Sequence, residues 1–269
     1  MLFVPGTRPD RFAGAITSGA DAVIIDLEDS VEPGRKAEAR AAIVEFFSQP
    51  VATTVACFVR VNTFGSPLCE ADLASVGAIA SLEGIVLPKV EAPADVSAVA
   101  RAVAPRCVLP LIETARGVLN ALAIAEAAGP VPAILFGAED LTAQVGIPRT
   151  IDGEELIFAR SQVVLAATAV GADPIDAVLI DIMAAGDLRR DALRARALGF
   201  RGKLAIHPGQ VPVIHEVFSP SPAELGHARR IVDAFDRAQA QGEAVIRLDD
   251  RMIDMPVVIR ARRILNLKT

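Results

Sequence analysis

Aromatic side chains and cysteines are scarce in this chain of 269 residues. It contains no tryptophan and no tyrosine, so surfaces that stack single-stranded bases would depend on phenylalanine alone. The three cysteines are odd in number and lack the spacing of a metal site. We therefore expect no disulfide framework and a reducing, cytoplasmic environment. With only three histidines, no Ser-His-Asp or Cys-His catalytic set is evident.

An excess of positive charge and long apolar runs are also lacking. The formal net charge is −6, whereas a nucleic-acid-binding protein typically carries a basic patch or stripe. No apolar run reaches the roughly 18 residues of a membrane span, and the first residues lack the regions of a secretory signal. We therefore expect neither a nucleic-acid partner nor a membrane. An anionic substrate is still compatible with this charge if arginines lie close to the site.

What the chain does contain is enough apolar sequence for a large core, arranged as alternating strands and helices. Its hydrophobic fraction of 52% and mean hydropathy of +0.42 are too high for a disordered protein. Near-continuous apolar runs are typical of parallel strands that are covered on both faces. We predict eight such strands: Leu2–Pro5, Ala22–Leu27, Ala56–Val61, Gly84–Pro88, Val108–Ile112, Ala133–Phe136, Asp176–Asp181 and Lys203–Ile206.

The regular alternation predicts a fold of the α/β class. Repeats of roughly 25–30 residues fit βα units, and eight of them close into a (β/α)8 TIM barrel of about 250 residues. A doubly wound sheet is the alternative, but it would need a glycine-rich phosphate-binding turn early in the chain, which is absent. We assign residues 1–220 to a catalytic barrel and residues 221–269 to a C-terminal helical extension, which packs on the barrel or on a neighbouring subunit.

Two neighbouring strands end in carboxylates. The fifth predicted strand runs into Glu113, and the sixth runs into Glu139 and Asp140, each just before a helix-like stretch. A carboxylate at the end of a buried strand is costly unless something there uses its charge. Such residues often serve as helix N-caps, although Thr114 is the better cap after Glu113. The pair Glu113 and Asp140 therefore indicates a divalent cation held by oxygen ligands.

Arg60 is the most informative cation at the predicted rim. It lies in an apolar strand, where the two-residue period places Phe58, Arg60 and Asn62 on one face. A lone arginine that points into a barrel mouth must meet an anion, which is either a protein carboxylate or a substrate carboxylate held by its planar fork. We favour the substrate, because a metal would claim the acids nearby.

Other polar residues follow the strands and carry weaker hypotheses. Lys89 could form a Schiff base in a pocket of low polarity, and His207 could contact a ligand or be structural. The basic residues Arg8, Lys36 and Arg40 either lie on solvated helix faces or bind the phosphates of a cofactor. The remaining acids at predicted strand ends are Asp26, Glu28, Asp29 and Asp181.

Eight segments also carry a resemblance that runs in order through the whole chain. They are Leu2–Phe12, Ala20–Val31, Val59–Asn62, Val86–Glu91, Ile112–Gly117, Phe136–Leu141, Gly202–Pro208 and Met252–Pro256. In these segments the chain resembles the HpcH/HpaI aldolase/citrate lyase family, and within it the citrate lyase beta-subunit-like proteins.

The resemblance implies a Mg²⁺-dependent lyase with a (β/α)8 barrel that assembles as a trimer or hexamer. Proteins of this kind cleave or form a carbon–carbon bond in citryl, malyl or citramalyl thioesters of CoA, which gives an acyl-CoA and a 2-keto acid or glyoxylate. By motif match, Glu113 and Asp140 hold the metal, and Arg60 and Glu113 face the substrate. Asp254 matches an acid/base on a C-terminal segment that reaches a neighbour's site, although Asp254 is equally placed to cap the helix near Pro256.

Three alternatives to a free-standing CoA-ester lyase stay open at this point. The chain could be the beta subunit of a citrate lyase complex that acts on citryl-acyl carrier protein. It could instead be a metal-dependent aldolase for free 2-keto acids, or a degenerate member that only binds. In each catalytic case, Asp26, Glu28 and Asp29 are expected to hold the waters of the metal.

Overall fold

A computed structural model describes residues 1–49, 53–77 and 79–266. In this part of the chain, eight parallel strands form one sheet whose spatial order follows the sequence. The strands are β1 (Leu2–Pro5), β2 (Ala22–Asp26), β3 (Ala56–Arg60), β4 (Gly84–Leu87), β5 (Cys107–Ile112), β6 (Ala133–Phe136), β7 (Asp173–Asp176) and β8 (Gly202–Lys203).

The sheet closes on itself beside β1. Leu2 forms a parallel bridge with Ala205, just beyond β8. The Phe3 amide donates to the Ala205 carbonyl at 2.8 Å, and the Ala205 amide donates to the Met1 carbonyl at 2.8 Å. The predicted (β/α)8 barrel is therefore confirmed, and the doubly wound alternative is excluded.

Helices follow nearly every strand, as a barrel requires, because the outward face of each strand must be covered. Every residue of β2, β4 and β6 is buried, which explains why these strands are almost uniformly apolar in sequence. The helices in the described part are α1 (Phe12–Ile16), α2 (Lys36–Ser48), α3 (Pro67–Val76), α4 (Pro93–Val103), α5 (Ala115–Leu119), α6 (Ala121–Ala127), α7 (Glu139–Val145), α8 (Ile157–Ala169), α9 (Ala185–Leu198), α10 (Val211–Phe218), α11 (Pro222–Gln239) and α12 (Met255–Asn266).

The seventh strand differs from its prediction. The apolar run after Asp176 was expected to be the strand, but β7 lies before it and ends at Asp176. The run itself forms a loop, and its Val178 lines a cavity inside the barrel. The apolar residues of this loop therefore contribute to the wall of the cavity and do not form a strand. Strand β8 is likewise shorter than predicted and ends at Lys203.

The chain divides into two compact units, Met1–Ile214 and His215–Thr269. The second unit has a core of its own, formed by Ala228, Ile231, Phe235, Ile253, Val258 and Ala261. It also contains an unpredicted antiparallel hairpin of β9 (Ile246–Leu248) and β10 (Arg251–Ile253), whose turn residues Asp249 and Asp250 have positive φ. Across residues 1–49, 53–77 and 79–266, no helix is both long and apolar enough to cross a bilayer.

Candidate active site at the carboxyl ends of the strands

One cavity of about 310 Å³ opens at the carboxyl ends of the barrel strands. Parallel pairing places Asp26 directly beside Arg60, and Glu113 follows β5 while Asp140 lies in the first turn of α7. The cavity has a charged side and an apolar side. The charged side consists of Asp26, Asp29, Arg60, Glu113, Glu139 and Asp140. The apolar side includes Phe3, Leu111, Phe136, Val178, Leu204 and Ile206.

The planar guanidinium group of Arg60 pairs with a protein carboxylate. Its Nε and Nη2 donate to the two oxygens of Asp26 at 2.6 and 2.7 Å. Its Nη1 lies 2.9 Å from Glu28 Oε2, and its guanidinium carbon lies 4.9 Å from the centre of the Phe3 ring. Burial would raise the pKa of Asp26, but the Arg60 charge and the hydrogen bonds that Asp26 accepts hold it below its ordinary value.

This pairing corrects the partner that we favoured for Arg60. A carboxylate with two good acceptor oxygens lies directly across the strand pair, so it occupies the fork that we assigned to a substrate carboxylate. Arg60 still lines the cavity, and a substrate contact through its remaining surface stays a prediction.

Glu113 is a buried carboxylate in a negatively charged setting. It is 2% exposed, and the Lys89 amide donates to its Oε1 at 2.9 Å. Burial raises the pKa of Glu113 well above its ordinary value, and the neighbouring charges of Glu28 and Asp140 add to this effect against the opposing charge of Arg60. The carboxyl group thus lies where a further cation would stabilise its ionised form.

Local sequence explains how Glu113 reaches this position. The Thr114 hydroxyl accepts a hydrogen bond from the Gly117 amide at 3.0 Å and caps α5, as predicted, so Glu113 is not needed as the cap. Gly137 packs against Glu113 so closely that an added Cβ would lie 2.5 Å from Oε2. Only glycine fits there without displacing the carboxylate.

Lys89 is tied into ion pairs with three carboxylates. Its Nζ pairs with Glu28, lies 3.3 Å from Asp29 Oδ2 and lies 3.5 Å from Asp140 Oδ1. Burial would lower the pKa of Lys89, but the hydrogen bond and charge of Glu28 raise it above its ordinary value. The amine is therefore protonated, which does not suit the Schiff-base hypothesis. The sequence indicated a polar residue here but not this ion-pairing role.

The basic residues predicted to bind a cofactor are placed differently from one another. Lys36 is buried, and its three donors are taken by the carbonyls of Leu27 and Glu28 and by the Asn62 side chain. This corrects the phosphate-binding prediction for Lys36, because no donor is left for a phosphate. Arg40 donates to the buried Asp72. Arg8 is exposed and pairs with Asp10, so a ligand contact there stays a prediction.

Three further candidates accept local hydrogen bonds from backbone amides. His207 Nδ1 accepts from the Gly209 amide at 3.0 Å, and an Asp181 oxygen accepts from the Met183 amide at 3.0 Å. In the second unit, Asp254 Oδ1 accepts from the Val257 amide at 3.3 Å, which makes it the cap of α12. Its capping role is thus observed, and its predicted catalytic role stays a prediction.

The charge balance of the cavity fits a divalent cation with few protein ligands. Asp26, Glu28, Asp29, Glu113 and Asp140 gather around two cations, Arg60 and Lys89. Among the residues that the structure describes, no three His, Cys, Asp or Glu side chains are grouped as a complete metal cage. Mg²⁺ suits such a site, because it commonly takes one or two carboxylates and fills its octahedron with water or substrate oxygens.

Several known proteins match this chain over most of its length. The family model described as HpcH/HpaI aldolase/citrate lyase matches residues 1–208. A citrate lyase subunit beta-like protein from Deinococcus radiodurans is 40% identical over 99% of this chain and 95% of its own length. The mitochondrial citramalyl-CoA lyase of Rattus norvegicus is 33% identical over 100% of this chain and 85% of its own length.

A solved structure is similar over nearly the whole chain. It is protein CitE from Mycobacterium tuberculosis in complex with magnesium, acetoacetate and coenzyme A. The two chains are 37% identical and superpose with a TM-score of 0.85, over 98% of this chain and 95% of that chain. The strand ends that form the cavity lie within the matched residues.

Proposed function

This chain belongs to the HpcH/HpaI aldolase/citrate lyase family, and from that premise we propose that it is a Mg²⁺-dependent carbon–carbon lyase. Its substrate is a 3-hydroxyacyl thioester such as citramalyl-, malyl- or citryl-CoA, and its products are an acyl-CoA and a 2-keto acid or glyoxylate. The observation that carries the proposal is the position of Glu113 and Asp140 beside Arg60 in a single cavity.

In this proposal Glu113 and Asp140 are the protein ligands of the metal. Both line the cavity, and the pKa of Glu113 is raised by burial and by neighbouring carboxylates, which a cation would offset. Mg²⁺ held by these two carboxylates would supply a Lewis acid that lowers the pKa of the substrate hydroxyl. Glu28 and Asp29 would accept hydrogen bonds from the waters around the ion. This corrects the same expectation for Asp26, because its two oxygens already accept four hydrogen bonds, from Arg60 and from the Glu28 and Ser30 amides.

The protein side chains then handle the charge and the protons. Cleavage breaks the bond between the hydroxyl-bearing carbon and the α-carbon of the thioester, and the electron pair stays with the thioester as its enolate. Arg60, held in place by Asp26, stabilises the negative charge that develops on oxygen. Asp254 of a neighbouring copy accepts the hydroxyl proton as the carbonyl forms and then donates a proton to the enolate carbon.

The Asp254 role requires an oligomer, and we propose a homotrimer or hexamer located in the cytoplasm. Leu119, Phe158 and Leu165 lie on helices of the barrel and are 70%, 65% and 67% exposed, which is the kind of surface that association covers. The free thiols Cys57, Cys69 and Cys107 suit a reducing compartment. We assign the catalytic role to the barrel and the supply of Asp254 to the C-terminal extension.

The proposal is tested by a panel of malyl-, citramalyl- and citryl-CoA, with citryl-acyl carrier protein and free 2-keto acids beside them. Purified protein is assayed with and without Mg²⁺, and products are identified by mass spectrometry. We expect metal-dependent release of acyl-CoA from at least one CoA ester. Turnover of citryl-acyl carrier protein or of free keto acids alone would replace this function by the corresponding alternative, and no turnover of any substrate would contradict it.

The shared site has its own test. Asp254→Asn should bind Mg²⁺ and substrate normally but lose turnover, and Glu113→Gln should be inactive for lack of metal. Mixed oligomers of the two variants should regain part of the activity, because some sites draw both intact groups from different chains. Verified mixed oligomers without activity would leave Asp254 as a helix cap only.

A further inference from the structure

The loop that connects β2 with α2 carries Asp29 to the cavity and Glu28 to the ion pairs beside it, and Lys36 holds the backbone of this loop. The ammonium group of Lys36 donates to the carbonyls of Leu27 and Glu28 at 2.7 Å each and to Asn62 Oδ1 at 2.8 Å. Lys36 is 6% exposed. All three donors of a buried ammonium are therefore satisfied, two of them by the backbone of residues that lead into the site.

A second layer of buried hydrogen bonds holds the partner of Lys36. The backbone and side-chain nitrogens of Asn62 donate to Asp72 Oδ2 at 2.8 and 2.6 Å, and Asn62 Nδ2 also donates to the Leu27 carbonyl at 3.0 Å. Asp72 is fully buried, and its Oδ1 accepts from Arg40 at 2.8 Å. The loop, the end of β3, α2 and α3 are thus joined in one network.

The backbone that Lys36 holds carries Glu28, whose carboxylate pairs with both Arg60 and Lys89. Glu28 Oε2 lies 2.9 Å from Arg60 Nη1, and Glu28 Oε1 pairs with the Lys89 ammonium. The Leu27 and Glu28 carbonyls flank the Cα of Glu28. Holding both restricts the backbone orientations from which the Glu28 carboxylate can reach Arg60 and Lys89. Glu28 in turn restrains Arg60 on the side that Asp26 does not contact.

We propose that Lys36 is a positioning residue for the reaction. It acts through the Leu27 and Glu28 carbonyls to hold the Glu28 carboxylate between Arg60 and Lys89, and so keeps the charged side of the cavity arranged for metal and substrate. This inference rests on the proposed function, since the reaction is what the arrangement serves. It assigns Lys36 and Asn62 to the organisation of the site and not to the binding of a cofactor phosphate.

The test replaces Lys36 by methionine, which keeps the length and volume of the side chain but removes its donors. We expect kcat and Mg²⁺ affinity each to fall by about 10- to 100-fold, as for other residues that support a metal site, while KM for the thioester changes little. Calorimetry with Mg²⁺ alone gives the affinity without activity, and thermal unfolding gives the stability.

Asp191→Asn is the matched control, because it disturbs a buried ion-pair network between α8, α9 and the last two strands. It should lower the melting temperature by an amount similar to Lys36→Met but leave kcat and Mg²⁺ affinity unchanged. A merely structural Lys36 would behave in the same way as this control. Equal kcat and Mg²⁺ affinity in folded Lys36→Met and in the unaltered protein would therefore overturn the proposal.

Arg40→Gln keeps the test decisive if Lys36→Met does not fold. This change loosens Asp72 one hydrogen bond further out, so we expect the same pattern with a smaller loss, and no loss of kcat or Mg²⁺ affinity would again overturn the proposal. If the unaltered protein binds Mg²⁺ but cleaves no thioester, the proposed function fails while the calorimetric comparison still decides the role of Lys36. If it binds no Mg²⁺ either, both proposals fail.

Discussion

Two clusters of charged side chains in the barrel differ in their charge balance and in their burial. Behind β7 and β8, Arg160 and Lys203 meet Asp176 and Asp191 through five hydrogen bonds of 2.6–2.9 Å. This cluster holds equal numbers of cations and anions, and it is almost completely buried. At the rim, carboxylates outnumber cations and line an open cavity.

The pKa values of the carboxyl groups record this difference. Burial would raise the pKa of Asp191, but Lys203 and Arg160 lower it to about 2. Burial and neighbouring carboxylates raise the pKa of Glu113 well above its ordinary value. The closed cluster is therefore internally balanced, whereas the open cluster at the rim carries excess negative charge that a bound cation would offset.

The largest expected contrast comes from Glu113→Gln. Removing one of the two proposed metal ligands should abolish Mg²⁺ binding and turnover, whereas the melting temperature without Mg²⁺ should stay the same or rise, because a poorly compensated buried charge is lost. Calorimetry, activity assays and thermal unfolding check the three parts. Retained Mg²⁺ affinity would show that Glu113 is not a ligand.

Lys203→Met should have the opposite profile. Breaking a buried ion-pair cluster by removing one partner should cost about 3–5 kcal/mol of unfolding free energy, because Asp176 and Asp191 lose a shared cation. The folded fraction should keep its kcat. Urea unfolding measures the loss of unfolding free energy. An unchanged stability, or a large loss of kcat in the folded protein, would contradict a purely structural role for this cluster.

Mg²⁺ removal should change the unfolding free energy by less than the Lys203→Met substitution does. At free Mg²⁺ ten times its Kd, binding should raise the unfolding free energy by about 1.4 kcal/mol. Lys203→Met should gain as much as the unaltered protein, and Glu113→Gln should gain nothing. Thermal unfolding with Mg²⁺ and with a chelator measures this gain, and an equal gain in all three proteins would place the ion elsewhere.

Acid should weaken the closed cluster by the smallest amount. The pKa of Asp191 is about 2 in the folded protein against an ordinary value of 3.8, so its stabilisation is present above about pH 4 and is lost as pH falls towards 2. The difference in unfolding free energy between the unaltered protein and Asp191→Asn should narrow by about 1 kcal/mol from pH 5 to pH 3. Urea unfolding at each pH measures it, and a constant difference would contradict a lowered pKa.

The sequence predicted the barrel and the rim because both follow from local patterns. Apolar runs mark strands buried on both faces, and the residue after each run marks the rim, as for Glu113 and Asp140. The buried cluster around Asp176 was not predicted. The apolar run after Asp176 predicts a strand at that run, which places Asp176 at the start of the strand and not at its end. The burial of Lys36 was not predicted because two of its acceptors are backbone carbonyls of a loop, and every residue type carries such a carbonyl.

The two-sided cavity also separates the residues that set its shape from those that set its charge. Val178, Leu204 and Ile206 follow the last two strands and lie on the apolar side of the cavity, while the metal and proton chemistry is assigned to charged residues elsewhere. Exchanges among apolar side chains at these three positions reshape the space for an acyl group without removing a charge. Shape and charge are thus separable in this cavity, because its apolar wall can change while every charged side chain stays in place.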